Sequence, residues 1–492
     1  MNLSLVRFET RRLLRHPILW GATLAALALS FALEGSWLPD MTMVTIDTVT
    51  ASTLIGAAVL VIANLATGRD GRHDLPETLA ALPTRAAPRT RAIVLAAPLA
   101  GGLAAAAMIS AHLLVVSTSD NVAGRFDPYE ALGGVALAAL AASTGAALAR
   151  WTPSLILPPV LIVAVAFDMV GNPWAEYGGW LVPVIPGHSP DLGPRPSAPH
   201  LLYLVAAAVL LGAAALLRHG PRFTRVAVAV CSAAVTAVAG TVAAAGAPAL
   251  PWRGTASAPQ PPRQVCEDPE GVTFCAYPDY TPWIPVWSEA IRPVVTSVPA
   301  RALDRLPPIR QQSFGPSLAA SAGAGEPATW TAWSTDPAQH RALLVGQVAA
   351  RLVGFGEGCD GRGLARTVVA LWLTGRAGAL LDAPDSALWQ RGQGNGLTTG
   401  LTEVPMGDGV GSLSVPGQLG GLRYGSAEVG YARRLLERDD AAGRIAANWD
   451  VLTAPGTTAG QALPLLGLGP QLPGPRLSGP RLSGARGETE CA

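Results

Sequence analysis

Apolar positions along this chain come first in long unbroken runs and later only in short periodic ones. Seven runs in the first half approach the roughly 20 apolar residues that a helix needs to cross a bilayer. They are 17–34, 49–67, 92–117, 131–149, 153–171, 199–217 and 225–245. The third (AIVLAAPLAGGLAAAAMISAHLLVVS) and the sixth (HLLYLVAAAVLLGAAALL) are the strongest. The fifth carries Pro158 and Pro159 and is expected to kink, which membrane helices tolerate when neighbours satisfy the freed backbone groups. The seventh is rich in Ala and Gly and only moderately apolar.

The first sixteen residues have a different pattern. Leu3, Val6, Leu13 and Leu14 share one broad helical face, while Arg7, Arg11 and Arg15 recur at i, i+4 and i+8 on another. That pattern predicts an interfacial helix over 1–16 with its arginines toward anionic lipid. A signal peptide is the alternative, with TRRLL faintly like a twin-arginine motif. No A-x-A-like site follows the apolar run, and further spans do, which argues against it.

Beyond residue 245 the pattern breaks. Residues 246–264 form a Pro-rich linker, expected to be extended. Residues 265–469 read as a mixed but helix-rich domain. HRALLVGQVAARLVGF, GLARTVVALWLTGRAGALL and SAEVGYARRLLERDDAAGRIAANWDVL have helical periodicity, the third as one helical stretch or a pair of helices, and the first two carry mid-run arginines and are too short to be further spans. VPMGDGVGSLSVPGQLGGLRYG is Gly-rich and predicts turns and short strands. Residues 470–492 repeat GPRLSG and are expected to be disordered. Eight of the thirteen tryptophans lie between 250 and 492, which favours a packed core there over an exposed surface for an apolar ligand. The expected fold class is mainly α: a polytopic helix bundle of six plus one spans, followed by a helix-rich extracytoplasmic domain.

Charge orients the bundle. With the N-terminus cytoplasmic, the inside segments carry Arg7, Arg11, Arg12 and Arg15, then Arg69, Arg72, Arg85, Arg89 and Arg91, then Arg150, and finally Arg218, Arg222 and Arg225. The outside segments carry only Arg125 and Arg195. This is the positive-inside asymmetry, and Trp37, Trp174, Tyr177 and Trp180 fall on the outer side, where amphipathic rings favour the interface. Seven spans then put 265–469 outside the cell, so the expected localisation is a multi-pass cell-membrane protein. In that non-reducing compartment Cys266 and Cys275, which flank DPEGVTF, are the favoured disulfide pair. Cys231 lies in the seventh run, and Cys359 and Cys491 have no evident partner.

Composition narrows the chemistry. The chain has 492 residues, a mean hydropathy of +0.33 and a formal net charge of only +1. No nucleic-acid motif is present. Every one of its 35 cationic Lys/Arg positions is arginine, so it cannot hold a Walker A loop, whose lysine must reach the β- and γ-phosphates. Any ATP-driven step therefore needs another polypeptide.

There is no H-E-x-x-H, G-x-S-x-G or C-x-x-C pattern. His340 near Asp336 reads as a solvated face, and Glu357 and Asp360 beside Cys359 as a Gly-rich loop. Asn64, Ser110, His112 and Asp168 are polar within apolar runs and so draw a functional hypothesis. His112 and Asp168 fall toward outer span ends, where water is expected to reach them. The outer carboxylates Asp127, Glu130, Asp168 and Glu176 show no acid/base spacing. No catalytic, cofactor-binding or metal site is expected in this chain.

The most informative stretch is GRDGRHDLPETLAALPTRAAPRTRA, residues 68–92. PETLAALP predicts a short helix: Pro76 suits the first turn, Glu77 complements the N-terminal dipole and Pro83 stops it, with His73 and Asp74 as caps. Leu79 and Leu82 share one side, leaving Thr78 and the arginines on the other. Such a helix either anchors at the lipid interface or docks in a cleft of a soluble partner.

With its basic entry helix, its spans and this loop, the chain resembles the permease subunit of an ABC-2 type exporter. The family's loop carries a pattern like E/D-x-x-x-G-T-x-E-x-L-x-x-x-P-x-x-R. Here Arg69, Asp70, Glu77, Leu79, Leu82, Pro83, Arg89 and Arg91 match it, and Leu75 and Pro76 replace the family's Gly-Thr. The likeness covers about residues 1–217. It implies that Asp74, Glu77, Thr78, Leu79, Leu82, Pro83, Arg89 and Arg91 form an ATPase-coupling loop. It also implies that a separate P-loop ATPase subunit binds the ATP, and that a second permease copy or a paralogue completes the translocation path within membrane lipid. The seventh run and the outer domain depart from the family's plan. A membrane-anchored sensor or ligand-binding protein is the alternative, and an outer-face enzyme a weaker one.

Overall fold

In a computed structural model of the chain, the described residues are 3–34, 38–72, 86–152, 154–172, 175, 179–188, 194–247, 263–312, 328–330, 337–356, 361–378, 411–413 and 422–469. They are mainly helical and fall into two compact units, one ending at Pro261 and the other chiefly Pro262–Ala492.

The first unit is a helix bundle: α1 (Leu3–Leu14), α2 (Pro17–Glu34), α3 (Met41–Arg72), α4 (Ala86–Val116), α5 (Pro128–Trp151), α6 (Leu157–Gly171), α7 (Ser197–Leu217) and α8 (Phe223–Ala245). Among the described residues, α3, α4, α5, α7 and α8 are long and apolar enough to cross a membrane. The pair α1 and α2, bent by 57° at its break, adds a sixth if counted together. The chain is thus compatible with a multi-pass membrane protein.

The fifth expected span, 153–171, is corrected. Its helix α6 has 15 residues, about 22 Å of rise against the roughly 30 Å of a hydrocarbon core. The cause is Pro158 and Pro159: proline lacks an N–H and fits only the first turn, so the helix starts at Leu157. The chain nevertheless returns along the bundle between α5 and α7. Trp151, at the end of α5, donates its Nε1–H to Ala214 O near the end of α7 (2.8 Å). Arg195, just before α7, pairs with Glu130 at the start of α5 (3.0 Å). Thr152 and Pro196 therefore lie at opposite ends of the bundle.

α3 also departs from its expected limits of 49–67, extending eight residues earlier through threonines. Thr45 and Thr48 donate their hydroxyls to the carbonyls of Thr42 and Thr45 (2.7 and 2.8 Å), which satisfies polar groups inside the helix. Asp40 caps it, its carboxylate accepting from the N–H groups of Thr42 (2.8 Å) and Met43 (3.3 Å). Packing of α3 on α5 relies on small residues, as between membrane helices. A Cβ on Gly145 would lie 2.2 Å from Leu60 O, and one on Gly134 would lie 2.7 Å from Ser52 Oγ. Ala51, Ile55, Val59, Ala63, Ala138 and Ala142 are buried around this seam.

The second unit holds a four-stranded sheet in the order β1 (Val265–Glu267), β2 (Phe274–Ala276), β3 (Ile309–Gln312), β4 (Ala328–Trp330). β1 and β2 are antiparallel with Cys266 opposite Cys275; the other two pairings are parallel. The sheet is joined by α9 (Ile284–Val295), α10 (Ala300–Leu303), α11 (Pro337–Leu352), α12 (Ala365–Arg376), α13 (Ser426–Leu436), α14 (Ala441–Ala447), α15 (Trp449–Thr453) and α16 (Ala459–Ala462). An antiparallel pair, Gly411–Leu413 with Leu422–Tyr424, completes it. α12 is buried from Ala365 to Thr374 and packs against α11, α13, α15 and α16. Trp283, Trp287, Trp372 and Trp449 are all buried, so these four tryptophans build a core.

Candidate functional site at the arginine-bearing end of the bundle

The end of the bundle where α3 and α5 finish, α4 begins and the α7–α8 turn lies is built around a short polar contact. Thr90, in the second turn of α4, is fully buried, and its Oγ1 lies 2.8 Å from His219 Nε2 in the turn between α7 and α8. The turn itself is tied down from α8. Arg225 Nη1 donates to the carbonyls of Leu216 (3.1 Å), His219 (3.3 Å) and Gly220 (3.0 Å), which the end of a helix leaves without intrahelical partners. Gly220 takes a φ of +95°, a conformation that glycine adopts without steric cost. α4 and α7 approach closely here: a Cβ on Gly212 would meet Val94 Cγ1 at 2.9 Å. Burial holds His219 below the ordinary histidine pKa, and the positive charges of Arg150, Arg225 and Arg218 add to this.

Of the residues expected to couple to an ATPase, the structure places two. Arg89 is half-buried and Arg91 exposed, either side of Thr90 on α4. Asp74, Glu77, Thr78, Leu79, Leu82 and Pro83 lie outside the described residues, as do Leu75 and Pro76. The flanking helices are the two longest among the described residues, 32 residues in α3 and 31 in α4, about 48 and 46 Å of rise.

The polar residues within the apolar runs do not converge. Asn64 is buried and donates Nδ2–H to Gly145 O (3.3 Å) across the α3–α5 seam. Ser110 is exposed. His112, expected within reach of water, is fully buried, its ring edge-on to Phe31 with centroids 4.8 Å apart. The reason is tertiary: α2 covers that face of α4. Asp168 is half-buried and accepts from Asn172 Nδ2 (3.2 Å).

At the opposite end, tertiary structure joins residues that sequence reasoning treated separately. Arg195 donates to both carboxylate oxygens of Glu130 (3.0 and 3.3 Å) and to the carbonyls of Gly187 (2.7 Å) and Ile185 (2.8 Å). Its guanidinium lies 4.7 Å from the Trp180 ring centroid. His188, in the same loop, is pushed down to about 3 by burial and then by the Arg195 charge. No sequence period links positions 65 residues apart, so only the sign of the two charges hinted at the pair.

In the second unit, Cys266 and Cys275 form a disulfide; Cys231, on α8, is free and exposed, and Cys359 and Cys491 lie outside the described residues. Glu357 and Asp360 lie outside them too. Among the described residues no group of three or more His, Cys, Asp or Glu is placed to hold a metal ion. No family model, curated protein or solved structure matches this chain.

Proposed function

We propose that the chain is the membrane-spanning permease subunit of an ABC-type exporter, coupled to ATP hydrolysis on a separate P-loop subunit. The observation that carries this reading is the pair of long helices around residues 73–85. α3 and α4 together exceed a hydrocarbon core by about 16–18 Å each, and both end at this segment. The segment that joins the two helices is the one whose sequence is expected to meet a soluble partner. The absence of lysine from the chain supports the division of labour, because the fuel must then be bound elsewhere. Positive loops orient this end toward the cytoplasm, and an odd number of passes carries the second unit to the other side, where its disulfide persists.

Co-purification with candidate ATPases tests the reading. A P-loop ATPase is expected to be retained by the wild-type chain and released by Glu77→Arg or Leu79→Asp. Failure to retain any such ATPase, or retention unchanged by both substitutions, refutes it. A second reading, a membrane-anchored ligand-binding protein, draws on the second unit's independent core of buried tryptophans. It predicts saturable ligand binding by the full chain with no ATPase present.

A further inference from the structure

The short helix α6 ends inside the bundle. Met169, in its last turn, packs against Val49 of α3, Leu137 of α5 and Val184 of the following segment. Leu137 lies about 13 Å along α5, a helix of about 36 Å. With a hydrocarbon layer of about 30 Å centred on α5, the end of α6 is about 10 Å inside it. A carboxylate stands at that depth, on Asp168 beside Met169. Ionisable side chains within a membrane are costly and mark ligand or ion sites.

The helices around Asp168 give it no counter-ion. Asn172 donates Nδ2–H to its Oδ1 (3.2 Å), and among the described residues no cation pairs with it. α3 has no basic side chain from Met41 to Gly68, and α5 has none before Arg150, about 20 Å of rise from Leu137. Residues 172–196 contain one arginine, Arg195, which is already paired with Glu130. The carbonyl end of α6 adds the negative pole of a helix at the same place. α6 is also open on one side: Val163, Phe167 and Val170 form an apolar face, 52%, 72% and 60% exposed, and Asp168 lies half-buried at its border.

We propose that Asp168 binds the positive head of a lipophilic organic cation whose apolar body lies on Val163, Phe167 and Val170. An inorganic cation takes about six oxygen ligands, and among the described residues no group of three or more His, Cys, Asp or Glu is placed to hold one. A cation with its own apolar body needs a single carboxylate, because the face of α6 and the bilayer cover the rest of it. Asn172 orients the carboxylate through Oδ1 and leaves Oδ2 to the ligand. The site needs the bundle to lie in a membrane and does not need an ATPase.

The test uses the full chain reconstituted into phosphatidylcholine vesicles and radiolabelled tetraphenylphosphonium, with binding to protein-free vesicles subtracted. A saturable component is expected. Asp168→Asn is expected to weaken it about tenfold or more, and Asp168→Glu, which keeps the charge, by no more than about threefold. Asp127→Asn removes a charge at the end of α5 and leaves a residue able to cap it, so it is expected to bind like wild type. Tetraphenylmethane, of the same shape without the charge, is expected not to displace the cation. The proposal is overturned if Asp168→Asn binds like wild type, if Asp127→Asn weakens binding equally, or if tetraphenylmethane competes at matched concentration, which would mark an apolar surface without charge recognition. Equal loss in Asp168→Asn and Asp168→Glu also overturns it, since that marks a structural role. A wild-type chain that enters vesicles without a saturable component overturns it whether or not an ATPase co-purifies, so its failure and that of the exporter reading are separate outcomes.

Discussion

Replacing Glu130 by Gln keeps the size of the side chain and removes its charge. In the native bundle the Glu130 and Arg195 side chains are 8% and 10% exposed, so the pair is desolvated on both sides. Removing one member of a buried ion pair costs roughly 3–5 kcal/mol, because the remaining charge stays buried without compensation. Arg195 retains the carbonyls of Gly187 and Ile185 and the face of Trp180, which places the expected loss at the lower limit, about 3 kcal/mol. Arg195→Met removes those three contacts as well and strands Glu130, so about 4–5 kcal/mol is expected. Because the two residues share one interaction, the double variant is expected to cost about 2 kcal/mol less than the sum of the singles. Denaturant unfolding in detergent, followed by tryptophan fluorescence, measures all four corners of the cycle. Limited proteolysis of 179–196 gives an independent readout, since Arg195 ties this loop to α5. Single costs below about 1 kcal/mol, or costs that simply add, would refute the account of a desolvated, mutually dependent pair.

Three further outcomes follow from particular contacts. Gly145→Ala puts a methyl where Leu60 O already stands, so α3 and α5 must separate and Asn64 must lose Gly145 O; a loss of about 3 kcal/mol or more is expected in the same unfolding assay, against no loss and a gain of up to about 1 kcal/mol for Gly21→Ala, which meets nothing within 4 Å. His188 stays neutral in the folded chain down to about 3, whereas an unfolded histidine takes up its proton near 6.5. Its contribution to stability is therefore constant above pH 7.5 and is lost as pH falls below 6.5, by about 2 kcal/mol at pH 5; His188→Gln should remove that increment from the pH profile, and an unchanged profile would contradict the burial of the ring. The Cys266–Cys275 bridge closes a short loop, with a sequence separation of 9, and is expected to contribute about 2.5 kcal/mol to the second unit; reductant should lower the wild-type unfolding midpoint and leave Cys266→Ser unmoved.

Much of the bundle is determined by the sequence alone, because a helix in lipid must satisfy its own backbone and can do so only over long apolar runs. Those runs mark α3, α4, α5, α7 and α8, and the arginines mark which helix ends lie together. Periodicity likewise marks α11, α12 and α13 in the second unit. Other features depend on partners distant in the chain, and tertiary structure alone decided them. The proline pair shortens α6, yet the contacts of Trp151 and Arg195 still put the end of α5 and the start of α7 at opposite ends of the bundle. His112 looks water-accessible on its own helix and is sealed by Phe31 of another. Thr90 and His219, 129 positions apart, become a braced pair only when α4 meets the α7–α8 turn, and the charge surrounding them becomes a single patch only there. Local pattern determines which segments are helical, because backbone satisfaction and burial act along the chain. Which polar groups end up buried, paired or concentrated is set by packing between segments, and that information is held in no single one of them.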